Sequence, residues 1–242
     1  MPRPLKSWNV KIPRAYAEAM ASHHNREWLA AMEVHIDKLI AAKAFETVPQ
    51  PLSGSTILLG KWGFDLKIDK GGETMPLFLS IVVIKNMLLQ QVDYTAAYLN
   101  AIIDGRTVFM RQPTGFEKIG PNGERLVCLV LQAMYGLRQA GHLWYATIAK
   151  ALKKMEFEPL VDEPCIMVHH AKGIWILLCV DDTLIAASDD SGVNWFRETV
   201  RFKYRDLGKP NRFLGSILSR GLRGIFLNQK VYAEEVIMKA GL

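Results

Sequence analysis

Three kinds of hydrophobic pattern run along the chain. From Asn25 onward, Trp28, Met32, Ile36, Leu39 and Ile40 recur at helical spacing and predict an amphipathic helix with Asn25 as its N-cap. Trp62, Phe64, Leu66 and Ile68 alternate with polar residues, the period of a half-buried strand, before a turn at 69–72. Residues 76–89 and 174–180 are apolar almost throughout. Over 76–89 periodicity leaves strand and helix open, and the two longest runs, 76–84 and 174–180, read as strands far too short to cross a membrane. A loop is expected over 49–60, turns at 112–115, 120–123 and 207–210, and a start of helix over 95–103. Leu143, Ile148, Leu152 and Met155, with Lys150, Lys153 and Lys154 between them, predict a second amphipathic helix; its lysines suit either solvent or template phosphates. A helix around 193–202 carries Arg197, Arg201 and, just beyond it, Lys203; strands over 212–219 and 224–228 and a short helix over 231–240 close the chain. This order of strand, helix and strand hairpin is an α+β pattern.

Two charges break the apolar pattern where charge is most costly. Asp181 and Asp182 sit between Trp175–Val180 and 183–187, at the expected tip of a β-hairpin. Aspartates serve turns, so a plain hairpin turn is one reading. The other is a cation site, because Mg²⁺ prefers carboxylate oxygens and commonly takes one or two of them from the protein. A third carboxylate, Asp93, ends the strand expected after Met87 and Leu89. Carboxylates from a strand end and a hairpin tip could meet on one sheet edge, an arrangement suited to two metal ions about 3.5–4 Å apart in phosphoryl transfer.

Composition narrows the field only a little. Half of the 242 residues are hydrophobic and 22% are charged, as in an ordinary globular protein of one large domain or two small subdomains. A net charge of +6 and a pI near 9.2 are compatible with a phosphate-backbone partner without requiring one. Cys128, Cys165 and Cys179 are too few and too scattered for a disulfide framework or a zinc site, which fits a reducing compartment. His23, His24 and His35 read as surface residues, and adjacent His169 and His170 point to opposite faces of a strand. The N-terminal residues carry no apolar stretch of a secretory signal.

Several blocks in fixed order carry a resemblance. They are Trp28 with its helix, Lys-Trp-Gly-Phe at 61–64, Gln-Val-Asp-Tyr-Thr-Ala-Ala-Tyr-Leu-Asn at 91–100 and Gln-Pro-Thr-Gly-Phe at 112–116. Tyr-Gly-Leu-Arg-Gln at 135–139, Trp144 with Tyr145, the Asp-Asp hairpin, Asp-Leu-Gly at 206–208, Phe-Leu-Gly at 213–215 and Gly-Ile-Phe-Leu-Asn-Gln at 224–229 complete the series. From about Ile12 onward the chain resembles the reverse transcriptase of Ty1/copia-type LTR retrotransposons. The resemblance implies a polymerase palm, a ferredoxin-like antiparallel sheet with helices on one face, and partial fingers. Residues 1–16 would be a basic, poorly ordered arm, 17–90 partial fingers, 91–206 the palm, and 207–242 the primer-grip hairpin with the start of a thumb or connection. Asp93 and Asp181, with Asp182 beside them, would hold Mg²⁺ or Mn²⁺ and carry catalysis. Tyr98 falls at the steric gate against a 2′-OH, although its context suits a core aromatic equally. Tyr135, Gly136, Arg138 and Gln139 would lie under the incoming nucleotide, and Phe213, Leu214 and Gly215 would position the primer end. The implied partners are an RNA or DNA template with primer and dNTPs, with no membrane, in an intracellular setting.

The chain also departs from the family pattern. After Gly71 and Gly72 the expected basic returning strand and several tens of residues are missing, a junction near 75–76. Cys179 stands where Tyr is usual, Gly141 and His142 replace Pro and Arg, and Ala101 replaces Gly. Two outcomes follow: an impaired polymerase, or a catalytically inactive retroelement remnant that at most binds nucleic acid.

Overall fold

The computed structural model describes residues 13–51, 55–59, 74–103, 107–222, 224–230, 233, 234, 237 and 238. The expected strand over 62–68, its turn, most of the basic arm and most of the C-terminal helix lie outside the described residues. Among those described, the helices are α1 (Tyr16–Met20), α2 (Asn25–Ala41), α3 (Thr74–Ile84), α4 (Ala140–Lys154) and α5 (Asp190–Thr199). The first strands are β1 (Phe45–Pro49), β2 (Ile57–Leu58), β3 (Leu88–Tyr94), β4 (Val108–Arg111) and β5 (Leu126–Val130). Then come β6 (Glu158–Pro159), β7 (Ile166–His169), β8 (Ile174–Cys179), β9 (Asp182–Ala187) and β10 (Tyr204–Gly208). The last are β11 (Arg212–Phe213), β12 (Ser216–Gly221) and β13 (Gly224–Asn228). The mixture is α+β, in two compact units: residues 1–67 with 101–143, and residues 68–100 with 144–242. None of the described helices is long and apolar enough to cross a membrane.

The first unit pairs α1 and α2 with a four-stranded sheet ordered β1-β5-β4-β2, in which only β2 and β4 run parallel. Met32, Ile36 and Leu39 are the buried stripe of α2, as their spacing predicts, but Ile40 is exposed. Asn25 is not the N-cap. It is already helical, His24 precedes it without a side-chain cap, and the Asn25 amide donates back to the Met20 carbonyl at 3.3 Å.

The second unit is built on a six-stranded antiparallel sheet ordered β10-β3-β9-β8-β7-β6. Residues 76–84 are helix, not strand. Met75, Phe78, Leu79 and Val82 are buried at i, i+3, i+4 and i+7, and Pro76 sits in the first turn, where its missing N–H costs nothing. The helix expected over 95–103 shortens to a 3₁₀ turn at Ala97–Asn100. The Asn100 amide donates to the Ala96 and Ala97 carbonyls at 3.2 Å each, taking acceptors that a longer helix would use. A strand, β10, also takes up Leu207 and Gly208, the first half of the turn expected at 207–210.

Cross-strand register sorts the sheet into two faces, because side chains alternate along each strand. One face carries Leu89, Leu184, Ala186, Leu177 and Ile166, in one apolar cluster with α3 and with Phe213, Leu214 and Leu218 of the β11–β13 sheet. The other carries Tyr94 and Ala187; Trp144 of α4 packs edge-on to Tyr94, and α5 approaches Ala187 and Ile174 at Gly192. Helices therefore cover both faces rather than one, because α3 is a helix.

Candidate active site

The sheet explains where charge can stand. β8 and β9 are buried along nearly their whole length, so carboxylates are tolerable only at their joined end. That end is the turn Val180–Asp181. Val180 adopts φ +56°, a conformation rare for a β-branched residue. Two hydrogen bonds hold the turn. The Trp144 indole N–H donates to the Val180 carbonyl at 2.6 Å, and the Tyr94 N–H donates to the Asp181 carbonyl at 2.7 Å. Behind them, Tyr94 meets the rings of Trp144 and Phe202 edge-on, at 5.5 and 6.1 Å between centroids. Burial pushes the Tyr94 phenol far above its ordinary value, and neighbouring Tyr204 adds to the shift.

Register then sets out a polar row across four strands. Arg205 of β10 lies opposite Asp93 of β3, Asp93 opposite Asp182 of β9, and Asp182 opposite Cys179 of β8. Directly opposite residues share a face, so this row continues the face covered by α3. The Arg205 guanidinium donates to Asp93 Oδ2 at 3.0 Å, and the Gln91 amide reaches Asp182 Oδ1 at 3.4 Å. The expected meeting of a strand-end carboxylate with the hairpin is therefore present. It is Asp182 that faces Asp93 directly, while Asp181 occupies the tip.

Opposed carboxylates repel unless a cation lies near them. Their oxygens suit Mg²⁺, which commonly takes one or two protein carboxylates and completes its shell with water and substrate phosphates. The donor chemistry of Asp93 and Asp182 fits such an ion. Among the described residues no group of three or more His, Cys, Asp or Glu side chains stands ready to enclose one.

The other predicted residues fall in several places. Tyr98 is half-buried in the 3₁₀ turn after β3, in the same unit as the carboxylates. Phe213, Leu214 and Gly215 form the expected hairpin, with Leu214 and Gly215 at φ +47° and +74° in a two-residue turn. Phe213 and Leu214 are core residues, so their side chains are occupied in packing. Tyr135, Gly136, Arg138 and Gln139 belong to the first unit, in turns just before α4; Tyr135 and Arg138 are exposed and Gly136 has φ +96°. Of the departures from the family pattern, Ala101 is fully buried and its φ is not positive, so the backbone there does not demand glycine. Cys179 packs against the apolar cluster, and His142 is exposed on α4.

A family model described as reverse transcriptase (RNA-dependent DNA polymerase) matches residues 72–242, which include every one of these positions. The chain belongs to the reverse transcriptase family. Its likeness to copia-type elements is borne out by relatives. The retrovirus-related Pol polyprotein from transposon TNT 1-94 of Nicotiana tabacum is 25% identical over 264 residues, covering 93% of this chain and 20% of the polyprotein. That from transposon RE1 of Arabidopsis thaliana is 25% identical over 283 residues, covering 100% of this chain and 19% of the relative. The chain thus spans about a fifth of the length of these relatives.

Three residues around the carboxylate row are harder to find from residue order alone. Trp144 was visible as a family block, but not as the donor that holds the hairpin turn. Gln91 shares the face of Asp93 by its i, i+2 spacing, a signal that strand periodicity already contained. Arg205 carried no local signal, because its strand exists only through pairing with β3.

Proposed function

We propose that this chain is the polymerase part of a copia-type reverse transcriptase, acting in template-directed DNA synthesis by two-metal nucleotidyl transfer, and that this copy is impaired. The observation that carries the reading is the placement of Asp93 opposite Asp182, with Asp181 beside them at a held hairpin tip, inside the matched family region. The second unit then corresponds to the greater part of a palm. In this reading Asp93, Asp181 and Asp182 are the catalytic carboxylates and hold Mg²⁺, or Mn²⁺ in its place. The bound cations would activate the primer 3′-OH and neutralise the leaving pyrophosphate. The sheet supplies fixed positions, since catalysis of this kind depends on placement and charge rather than covalent chemistry. Tyr98 would exclude ribonucleotides, Tyr135, Gly136, Arg138 and Gln139 would support the incoming dNTP, and Phe213, Leu214 and Gly215 would set the primer end. Because two of those last side chains are buried, the primer contact falls to the backbone of the turn.

Impairment is supported by what the chain lacks. The match to the RE1 polyprotein extends over 283 positions although the chain has 242 residues, so the relative carries residues without a counterpart here. A lost basic strand would weaken triphosphate binding more than metal binding. Primer extension on an RNA template with Mg²⁺ tests the assignment. Wild type should extend slowly and Asp93→Asn not at all; no extension by a folded wild-type protein would favour an inactive remnant that at most binds nucleic acid.

A further inference from the structure

We propose that Arg205 is a built-in counter-ion of Asp93 that competes with the divalent cation for the carboxylate row. The inference rests on the reading that Asp93 is a metal ligand. Asp93 and Asp182 face each other on neighbouring strands, a like-charge pair that destabilises a sheet when nothing neutralises it. Arg205 supplies a positive charge from the strand on the other side of β3, 3.0 Å from Asp93 Oδ2. Its side chain is 72% exposed and that of Asp93 only 26%. An exposed ion pair is weak, so the guanidinium can swing into water without disturbing the core. The backbone of β10 stays where it is when that happens. Next to Arg205, Asp206 is tied to Arg197 of α5 at 2.8 Å and accepts from the Gly208 N–H at 2.9 Å. Arg205 therefore stabilises the metal-free sheet, and a divalent ion that binds Asp93 through Oδ2 displaces it.

The test is Mn²⁺ binding by the full chain, read from the electron paramagnetic resonance signal of free Mn²⁺ at low ionic strength. Removing the competitor in Arg205→Gln should tighten binding about five- to tenfold, given the usual strength of an exposed pair plus the relief of cation repulsion. Arg205→Lys keeps the charge and should stay close to wild type, and Asp93→Asn should lose the site. The advantage of Arg205→Gln should shrink as salt screens the charges. Thermal melting gives a second readout. Without metal, Arg205→Gln should melt below wild type, and added Mg²⁺ should raise its melting temperature more than that of wild type. Equal or weaker Mn²⁺ binding by Arg205→Gln, with loss in Asp93→Asn, would overturn the competition and leave the metal-ligand reading standing. Mn²⁺ binding indifferent to Asp93→Asn, or undetectable in every variant, would overturn both.

Discussion

The carboxylate row and the Tyr135–Gln139 block, which we propose serve one reaction, are built by opposite means. Asp93 and Asp182 stand on strands in the middle of a six-stranded sheet, and register alone places them opposite each other. A one-residue slip would turn every side chain of β9 to the other face, and the buried residues on both faces forbid it. Tyr135 to Gln139 has no such frame. It is a pair of turns with exposed Tyr135 and Arg138, whose path depends on a single glycine at φ +96°. Positions fixed by a sheet tolerate change around them; positions fixed by a turn depend on one backbone conformation. On the proposed function, changes in sequence should therefore disturb nucleotide binding before metal binding.

Mutations can break this contrast. The largest effect is expected at the support of the sheet. Phe78 is fully buried between α3 and the sheet, so Phe78→Ala should cost about 3–5 kcal/mol in denaturant unfolding. A cost under about 1 kcal/mol would mean that α3 is not part of the core. Gly136→Ala comes next. Nothing lies within 4 Å of an added Cβ, so the whole penalty is backbone strain, about 1–2 kcal/mol. If it proves neutral, the turn is adaptable and the contrast weakens. Tyr135→Ala should change stability by no more than about 0.5 kcal/mol, since the side chain is 51% exposed, while raising the KM for dNTP.

One further effect concerns pH. Burial pushes the Cys128 thiol up to about 11, from 9.0. A raised thiol value disfavours the thiolate in the folded state, so the stability that Cys128 protects is intact below pH 9 and declines as pH rises toward 11. Denaturant midpoints should fall over that window in wild type and fall less in Cys128→Ala.

Much of this was readable from residue order. The hairpin announced itself because Asp181 and Asp182 interrupt apolar strands, and α4 because its lysines and apolar residues separate by face. The helix α3 hid behind its own composition. Leu77, Val83 and Ile84 are exposed and Phe78, Leu79 and Val82 buried, so only the packing reveals a period that uniform hydrophobicity conceals. The strand β10 hid for the opposite reason. Its Tyr-Arg-Asp-Leu-Gly sequence has turn chemistry at its end and little apolar content, and it becomes a strand by pairing with β3, far away in the chain. The row Arg205–Asp93–Asp182 inherits that non-locality, so the carboxylates were foreseen and their counter-ion was not.

Catalysis at the carboxylate row is tested by single-nucleotide incorporation into a primed RNA template with Mg²⁺, measured over rising dNTP concentration for wild type and Asp181→Asn. If Asp181 is catalytic, wild type should incorporate slowly and need unusually high dNTP, and Asp181→Asn should incorporate none. Equal incorporation by the two proteins would contradict it.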